Sequence, residues 1–439
     1  MSQAEKTVDA KDLRRVAFSS FLGNFIEWFD YASYSYFATV IALVFMPTNN
    51  PSIALLETFG VFALSFIMRP IGAVFWGDLG DRKGRKWALM ISILIMSGST
   101  FLIGLLPGYA SIGIMAPILL LLLRMAQSFS ASGEYAGAAI YIAEYAPPKK
   151  RGLYCSIVPA STATGLLVGS LFATVMYAVF GHDSAFVVDW GWRIPFLLAG
   201  PLGLVVHYIR EHLDDSPIYN EMVEEQKDSN THQPKHPIKL LFTKKYRKIL
   251  MISFGACMLN AVGFYTVLTY LPNYLIDTVN YDSTKALFVT TICLVTYIAF
   301  IFFSGHISDT FGRKKMLIAA CLGFVVFTIP AFLLLNTQSF VVILFVELVM
   351  CLLLTLNDGT LSSYLTETFP TEVRYSGFAM SFNLANALFG GSASFIAIGL
   401  IQLTGNNLAP AGYMVVISII ALAAVILSHE NHDKDLSHV

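Results

Sequence analysis

The sequence reads GDLGDRKGRK at residues 77–86 and GHISDTFGRKK at residues 305–315. Gly, Asp, Gly, Arg and Lys recur in the second copy at one offset of 228 positions, which relates Gly77 to Gly305. Each copy is a charged segment between two apolar stretches. A loop that is repeated in register indicates that the chain consists of two equivalent halves.

A second pair of loops repeats in the same way. Glu144 and Arg151 in the first half match Glu367 and Arg374 in the second, at an offset of 223 positions, with a proline three residues after each glutamate. Two loops repeated at equivalent places are hard to obtain by chance. The parallel internal repeats of secondary transporters predict this arrangement, with a ligand site between the halves near the middle of the bilayer.

The composition places these repeats in a membrane protein. Of the 439 residues, 56% are apolar and only 13% are charged, whereas about a quarter of the residues of a soluble protein are charged. The net charge of −1 gives no electrostatic reason to expect nucleic-acid binding. The five cysteines have no metal-ligand spacing, and we find no nucleotide-binding loop and no nucleophile–base set. We therefore expect no metal, no cofactor and no enzymatic activity.

The apolar runs predict the number of helices. A bilayer core about 30 Å thick needs roughly 20 apolar residues in a helix. Runs of this order fall at residues 17–46, 53–76, 87–107, 112–144, 153–180, 193–210, 249–276, 285–305, 315–335, 339–366, 375–404 and 408–428. The predicted fold is an all-α polytopic membrane protein with twelve transmembrane helices in two pseudo-symmetric six-helix bundles, residues 1–210 and 247–439. A mostly disordered or partly amphipathic cytoplasmic linker, residues 211–246, would join them.

The basic residues predict the orientation in the membrane. If the amino terminus is cytoplasmic, 24 of the 28 Lys and Arg residues lie on the cytoplasmic side. Basic residues resist translocation, so they accumulate on that side. We expect both termini in the cytoplasm.

Ionisable residues within the apolar runs mark candidate functional positions, because each costs about 2.5–3.5 kcal/mol on insertion scales. The first half contains Glu27, Asp30, Arg69, Arg124 and Glu134, and the second half only Glu347 and Asp358. The polar machinery is therefore predicted to lie mainly in the first half.

Glu27, Asp30 and Glu134 are the candidate proton-coupling residues. Glu27 and Asp30 are three positions apart and share a helix face. Two carboxylates so close cannot both ionise cheaply in a dry site, so one of them would hold a proton. The alternative is that each forms a fixed pair with Arg69 or Arg124. Glu134 lies about 15 Å along the helix from Arg124, so it is a separate candidate.

Arg124, Gln127, Asn383 and Asn386 are the candidate substrate-binding residues. Arg124 is a permanent cation in the middle of a span, where it needs a counter-charge or an anionic ligand. The hypothesis is that it binds a substrate carboxylate, with Gln127 on the same helix face. The alternative is a structural pair with Glu27 or Asp30.

The repeated loops predict a gating latch that forms and breaks between two access states. Their glycines permit tight turns and close helix packing, and their aspartates suit helix N-termini or neighbouring arginines. The predicted latch consists of Gly77, Asp81, Arg85, Glu144, Arg151, Gly305, Asp309, Arg313, Glu367 and Arg374. The alternative is a basic loop that orients the helices without any role in gating.

Several motifs together resemble one family. The repeated loop is similar to the loop signature of the major facilitator superfamily. GNFIEWFDY at residues 23–31 resembles the first-helix signature of its metabolite:proton symporters, which include proline/betaine, α-ketoglutarate, citrate and shikimate transporters. Further matches are RPIG at 69–72, RMAQSF at 124–129, GEY at 133–135 and WGWRIPF at 190–196. The resemblance implies a monomeric, multi-pass protein of a bacterial cytoplasmic membrane that binds a small molecule and a proton.

The resemblance leaves the substrate open. With Arg124 as an anion site, we expect proton-coupled import of a small carboxylate-bearing metabolite such as a di- or tricarboxylic acid. The first alternative is a zwitterionic osmolyte such as proline or glycine betaine. A second alternative is a membrane receptor that binds its ligand without transporting it.

Overall fold

The computed structural model describes residues 10–48, 50–181, 184–228, 236–432, 434 and 436. Regular structure in these residues is helical, without a β-strand among them. The helices up to the end of the first half are α1 Ala10–Tyr36, α2 Ala38–Phe45, α3 Pro51–Phe66, α4 Met68–Lys83, α5 Arg85–Leu105, α6 Tyr109–Ile112, α7 Met115–Tyr145, α8 Arg151–Cys155, α9 Ile157–Phe180 and α10 Arg193–Glu211.

The second half repeats this helical organisation. Its helices are α13 Arg247–Tyr265, α14 Leu271–Asn273, α15 Ser283–Phe311, α16 Arg313–Leu335, α17 Phe340–Thr368, α18 Arg374–Ala385, α19 Ala393–Thr404 and α20 Ala409–Ile426. Two short helices lie between the halves, α11 Pro217–Asp228 and α12 Pro237–Leu241. π-Helical segments at Thr266–Tyr270 and Asn386–Gly390 interrupt the helices on either side of them.

Eleven helical stretches in the described part of the chain are long and apolar enough to cross a bilayer. α1 and α2 lie at the place predicted for the first span, which is not among these eleven. α1 carries the polar residues Asn24, Glu27 and Asp30, and all three side chains are buried against neighbouring helices.

The two halves approach each other closely at two equivalent places. α4 packs against α18, and α15 packs in the corresponding way against α8 and α9. A Cβ atom at Gly77 would lie 2.7 Å from Ser376 Cα, and one at Gly305 would lie 2.5 Å from the Gly152 carbonyl oxygen. Both distances are below van der Waals contact, so these contacts between the halves require glycine.

Part of the predicted linker is ordered against the first half. The Asp215 carboxylate accepts hydrogen bonds from the backbone N–H groups of Arg85 (3.0 Å) and Lys86 (3.2 Å), which begin α5. The Tyr219 hydroxyl donates to the Arg82 carbonyl oxygen at 2.9 Å. The segment predicted to be mostly disordered or partly amphipathic is thus helical in α11 and α12, while residues 229–235 lie outside the described residues.

α1 and α9 pack so closely that residue 165 in α9 must be glycine. A Cβ atom at Gly165 would lie 2.8 Å from the Phe29 backbone nitrogen and 2.8 Å from Trp28 Cβ. We expect Gly165→Ala to lower the free energy of unfolding by about 1–3 kcal/mol, because the helices must separate. The melting temperature of the purified protein in detergent measures this loss.

Gly98 in α5 supplies the matched control, because a Cβ atom there would meet no neighbouring atom within 4 Å. Gly98→Ala should leave the melting temperature unchanged or raise it slightly, since alanine favours a helix. Equal melting temperatures for the two variants would contradict the packing argument.

Candidate functional site

The first copy of the predicted latch connects the two halves through Asp81. Its carboxylate accepts hydrogen bonds from the backbone N–H groups of Tyr375 and Ser376, both at 2.9 Å, in the first turn of α18. An acidic side chain is favourable there because the first N–H groups of a helix lack partners within the helix. Arg85 lies 3.3 Å from Asp81 and 3.3 Å from Glu144. A residue of one half therefore caps a helix of the other.

The second copy has the same geometry with the halves exchanged. The Asp309 carboxylate accepts hydrogen bonds from the backbone N–H groups of Gly152 (2.7 Å) and Leu153 (3.0 Å), in the first turn of α8. Arg313 lies 2.8 Å from Asp309 and 3.0 Å from Glu367. The sequence repeat is therefore also a structural repeat.

The two glutamates complete a buried network between the halves. Glu144 accepts a hydrogen bond from Arg374 at 2.7 Å, and Glu367 lies 3.7 Å from Arg151. These four side chains are at most 2% exposed. The ten predicted latch residues are thus brought together on one face of the molecule, which we call the latch face. A gating latch requires this arrangement, while gating itself stays a prediction.

The end of the chain lies across both copies of the latch, which the sequence did not indicate. The Leu436 carbonyl oxygen accepts a hydrogen bond from Arg374 at 2.8 Å, and that of Lys434 accepts one from Arg151 at 3.0 Å. The Glu430 carboxylate accepts a hydrogen bond at 2.8 Å from the backbone N–H of Lys314, in the first turn of α16. It occupies the place that Asp215 takes at α5 in the first half.

Glu27 forms one of three separate charge pairs that the structure describes within the spans of the first half. Its carboxylate is paired with Arg69, which also donates to the Tyr31 hydroxyl at 2.7 Å. All three side chains are buried. The guanidinium group of Arg69 lies over the rings of Tyr31 and Phe66, 5.3 and 5.0 Å from their centroids.

Asp30 forms the second pair, with Arg124 at 2.5 Å. Gln127 joins this cluster, because its amide donates to Asp30 and accepts from Arg124 at 2.6 Å. The guanidinium group of Arg124 lies 3.8 Å from the centroid of the Tyr34 ring. Each acid thus has its own arginine. The sequence analysis gave such fixed pairs as the alternative to a proton held by one of the two acids and to an anion site at Arg124.

Glu134 has a third arginine as its partner. Arg210 donates to both of its carboxylate oxygens, at 2.5 and 3.0 Å, and also to the Leu89 carbonyl oxygen at 3.0 Å. Arg210 is the last residue of the run predicted at 193–210 and was not among the candidate ionisable residues, so this pair was missed.

A central cavity lies between the two halves. Its lining residues are Trp28, Tyr135, Pro159 and Thr162 from the first half and Asn260, Phe264, Tyr297, Asp358, Phe382 and Asn386 from the second. The cavity volume is about 20 Å³, which is room for about one water molecule. A substrate therefore needs a more open state to enter. Asn386 is the one candidate substrate-binding residue in this lining, while Asn383 donates to the Ser132 carbonyl oxygen of the other half at 2.8 Å.

Asp358 is the functional candidate that sequence reasoning did not place in the site. Its carboxylate accepts hydrogen bonds from the Asn260 amide at 2.7 Å and the Tyr297 hydroxyl at 2.6 Å. The sequence identified it as an acid within a span. No second-half span has a basic residue near its middle, so an acid there has no evident counter-charge in its own half. This pattern could have identified Asp358.

Two repeated helical bundles that meet at a latch and enclose a cavity at their interface are the architecture of a membrane transporter. The chain belongs to the Major Facilitator Superfamily, whose family model matches residues 21–397. The structure of the proton:xylose symporter XylE bound to 6-bromo-6-deoxy-D-glucose superimposes with a TM-score of 0.79 at 18% identity, covering 98% of each chain. These matches confirm the predicted fold class and the predicted superfamily.

Bacterial transporters resemble the chain in sequence over nearly all of its length. The proline/betaine transporter of Salmonella typhimurium is 36% identical over 433 residues, which is 98% of this chain and 86% of the relative. The glycine betaine/proline/ectoine/pipecolic acid transporter OusA of Dickeya dadantii is 35% identical over 432 residues, with the same two coverages. The chain is therefore a multi-pass membrane transporter.

The latch network predicts how the protein responds to the loss of one glutamate. Glu367→Gln should destabilise the closed latch face, because Arg313 and Arg151 lose their shared counter-charge and breaking a buried pair costs about 3–5 kcal/mol. We expect Cys155, which is fully buried in α8, to react with a water-soluble maleimide at least ten times faster. The measurement uses protein in which the other four cysteines are replaced by serine.

Asp78→Asn is the matched control, because Asp78 forms an i,i+4 pair with the exposed Arg82, and such pairs contribute little stability. Its labelling rate should equal that of the parent protein. Equal rates for Glu367→Gln and Asp78→Asn would contradict a gating role for the network.

Proposed function

We propose that this protein is a proton-coupled importer of small zwitterionic osmolytes of the proline and glycine betaine type. The observation that carries this proposal is the match, over 98% of the chain, to relatives named as proline/betaine transporters. The organic acid that the sequence analysis preferred has no support from these relatives. The zwitterionic alternative is therefore adopted in its place.

The chemistry of the central cavity also favours a zwitterion over an organic acid. Its ten lining residues include one carboxylate, that of Asp358, five aromatic side chains, and neither Lys nor Arg. A di- or tricarboxylate would meet a like charge there, which costs binding energy. The positive end of a zwitterion would instead meet a carboxylate and aromatic rings, both of which attract cations.

The buried charge pairs of the first half are the proposed site of proton coupling. Protonation of Glu27 would cancel its charge and leave Arg69 without a full counter-charge. A buried arginine in that state would favour a second anion nearby, such as the carboxylate of the substrate. Arg69 of this pair donates to Tyr31, whose ring lies 5.7 Å from that of Trp28 in the cavity wall, and this contact would connect the pair to the substrate. Asp30 with Arg124 and Gln127, and Glu134 with Arg210, are further pairs of the same type.

The latch face is proposed to be the cytoplasmic face of a bacterial inner membrane. The basic segments of the sequence accumulate on this face, as expected for cytoplasmic loops. Alternating access would then require both copies of the latch to open before substrate leaves the cavity toward the cytoplasm. We propose that one copy of the chain is sufficient for this cycle.

Transport by proteoliposomes tests the substrate class and the energy source together. With an imposed proton gradient, we expect accumulation of proline or glycine betaine and no accumulation of citrate or α-ketoglutarate. A proton uncoupler should abolish the accumulation. Citrate accumulation would contradict the substrate class, uptake that resists the uncoupler would contradict proton coupling, and binding without accumulation would indicate a receptor.

Removal of the Glu27 charge tests the coupling site. Glu27→Gln cannot gain or lose a proton in the working pH range, so exchange of labelled for unlabelled substrate should continue. Accumulation driven by the proton gradient should fall to a ratio of about one. Asp277→Asn, which removes an exposed carboxylate outside the core, should keep both activities. Full accumulation by Glu27→Gln would exclude Glu27 as the coupling residue.

A further inference from the structure

Buried carboxylates in the helices fall into two groups. Six have an arginine within 4.0 Å, namely Glu27, Asp30, Asp81, Glu134, Glu144 and Glu367. Glu347 and Asp358, both in α17, have neither Lys nor Arg at that distance in the part of the chain that the structure describes. Of these two, only Asp358 lines the central cavity.

The hydrogen bonds that Asp358 accepts leave its negative charge available to a cationic ligand. Asn260 and Tyr297 each donate one hydrogen bond, so each carboxylate oxygen has one neutral donor. A carboxylate has about four acceptor sites, and a buried charge without a counter-charge is costly. A neutral pair of donors positions the carboxylate but does not cancel its charge.

Aromatic rings surround the same space. Trp28 and Phe264, from opposite halves, meet at 5.3 Å between ring centroids, and Tyr135 and Phe382, also from opposite halves, stack at 4.2 Å. All four residues line the cavity with Asp358. A cation in this cavity would therefore face π-systems contributed by both bundles.

We propose that Asp358 and Trp28 form the subsite that binds the cationic end of the zwitterionic substrate. This inference rests on the proposed function and assigns one end of the substrate to particular residues. Glycine betaine carries a quaternary ammonium group without any N–H, so a site for it cannot use hydrogen bonds from the cation. A fixed carboxylate already oriented by Asn260 and Tyr297, with an aromatic face beside it, supplies the two interactions that such a group can make.

Glu347 offers an internal comparison on the same helix. It lies eleven residues before Asp358, about 16 Å along the helix axis, and accepts a hydrogen bond from the Cys293 thiol at 3.7 Å. It is equally buried and equally without an arginine, but it is absent from the cavity lining. A property that depends on the cavity should therefore change when Asp358 is substituted, but not when Glu347 is substituted.

The test compares two ligands of nearly the same shape. Glycine betaine and 3,3-dimethylbutyrate share a carboxylate and a three-methyl head, but only betaine carries a positive charge on that head. The affinities of purified wild-type protein for both are measured by quenching of tryptophan fluorescence or by displacement of labelled betaine. We expect wild-type protein to prefer betaine, and Asp358→Asn to reduce this preference by roughly ten- to a hundred-fold.

Three further variants make the result decisive. Trp28→Leu should reduce the preference by roughly two- to thirty-fold, because cation–π attraction is lost while apolar contact is kept. It also replaces Asp358→Asn as the test if that variant does not fold, as judged by its melting temperature. Glu347→Gln should keep the wild-type preference. Tyr297→Phe should weaken betaine binding less than Asp358→Asn, since it removes only one donor that orients the carboxylate.

The possible outcomes separate this inference from the proposed function. If wild-type protein binds neither betaine nor proline, the proposed function fails and this inference fails with it. If wild-type protein prefers betaine but Asp358→Asn and Trp28→Leu keep that preference, only the inference is overturned. An equal loss in Glu347→Gln would also overturn it, because the effect would then not depend on the cavity.

Discussion

The cost of placing a charge inside a membrane protein governs the arrangement of this molecule. Six buried carboxylates form ion pairs with an arginine on another helix or another turn, and these pairs offset the cost. Such pairs add little net stability, but removing one partner is strongly destabilising. Each pair therefore specifies which helices are neighbours. A change of protonation or of ligand at one pair would therefore alter the energy that holds two helices together.

The latch applies the same constraint across the boundary between the halves. Asp81 and Asp309 each cap a helix of the opposite half, so opening the latch face uncovers backbone N–H groups and carboxylates at the same time. Both copies are related by the repeat, so a rigid movement of one bundle against the other would break them together. Two symmetric sets of bonds would then give a closed state that is either complete or absent, as the predicted gating requires.

The sequence predicted well those features that are local or repeated. The spans follow from runs of apolar residues, and the latch follows from loops that occur twice. The partners of buried charges could be predicted only in part, because they depend on how distant helices cross. Arg69 and Arg124 were the alternatives for Glu27 and Asp30, but which arginine pairs with which acid was open, and Arg210 was missed. Glu134 pairs with Arg210, 76 positions away, and Glu27 pairs with Arg69 while Asp30 takes Arg124. Recognition of Asp358 as a cavity residue likewise requires knowing which helices surround it.

The proposed sites place the cationic end of the substrate beside Asp358 of the second half and the proton on Glu27 of the first half, and the pairing of charges then links them. A zwitterion at Asp358 brings one positive and one negative group, so the cavity keeps a net negative charge unless a cation is added. Protonation of Glu27 supplies that cation, because it frees the charge of Arg69 for the carboxylate of the substrate. Each of these charges has a partner of opposite sign only when substrate and proton are both present. A closed cavity of low dielectric constant favours that fully paired state over either partly loaded one, so the proposed sites would couple substrate to proton through the energetics of burying charge.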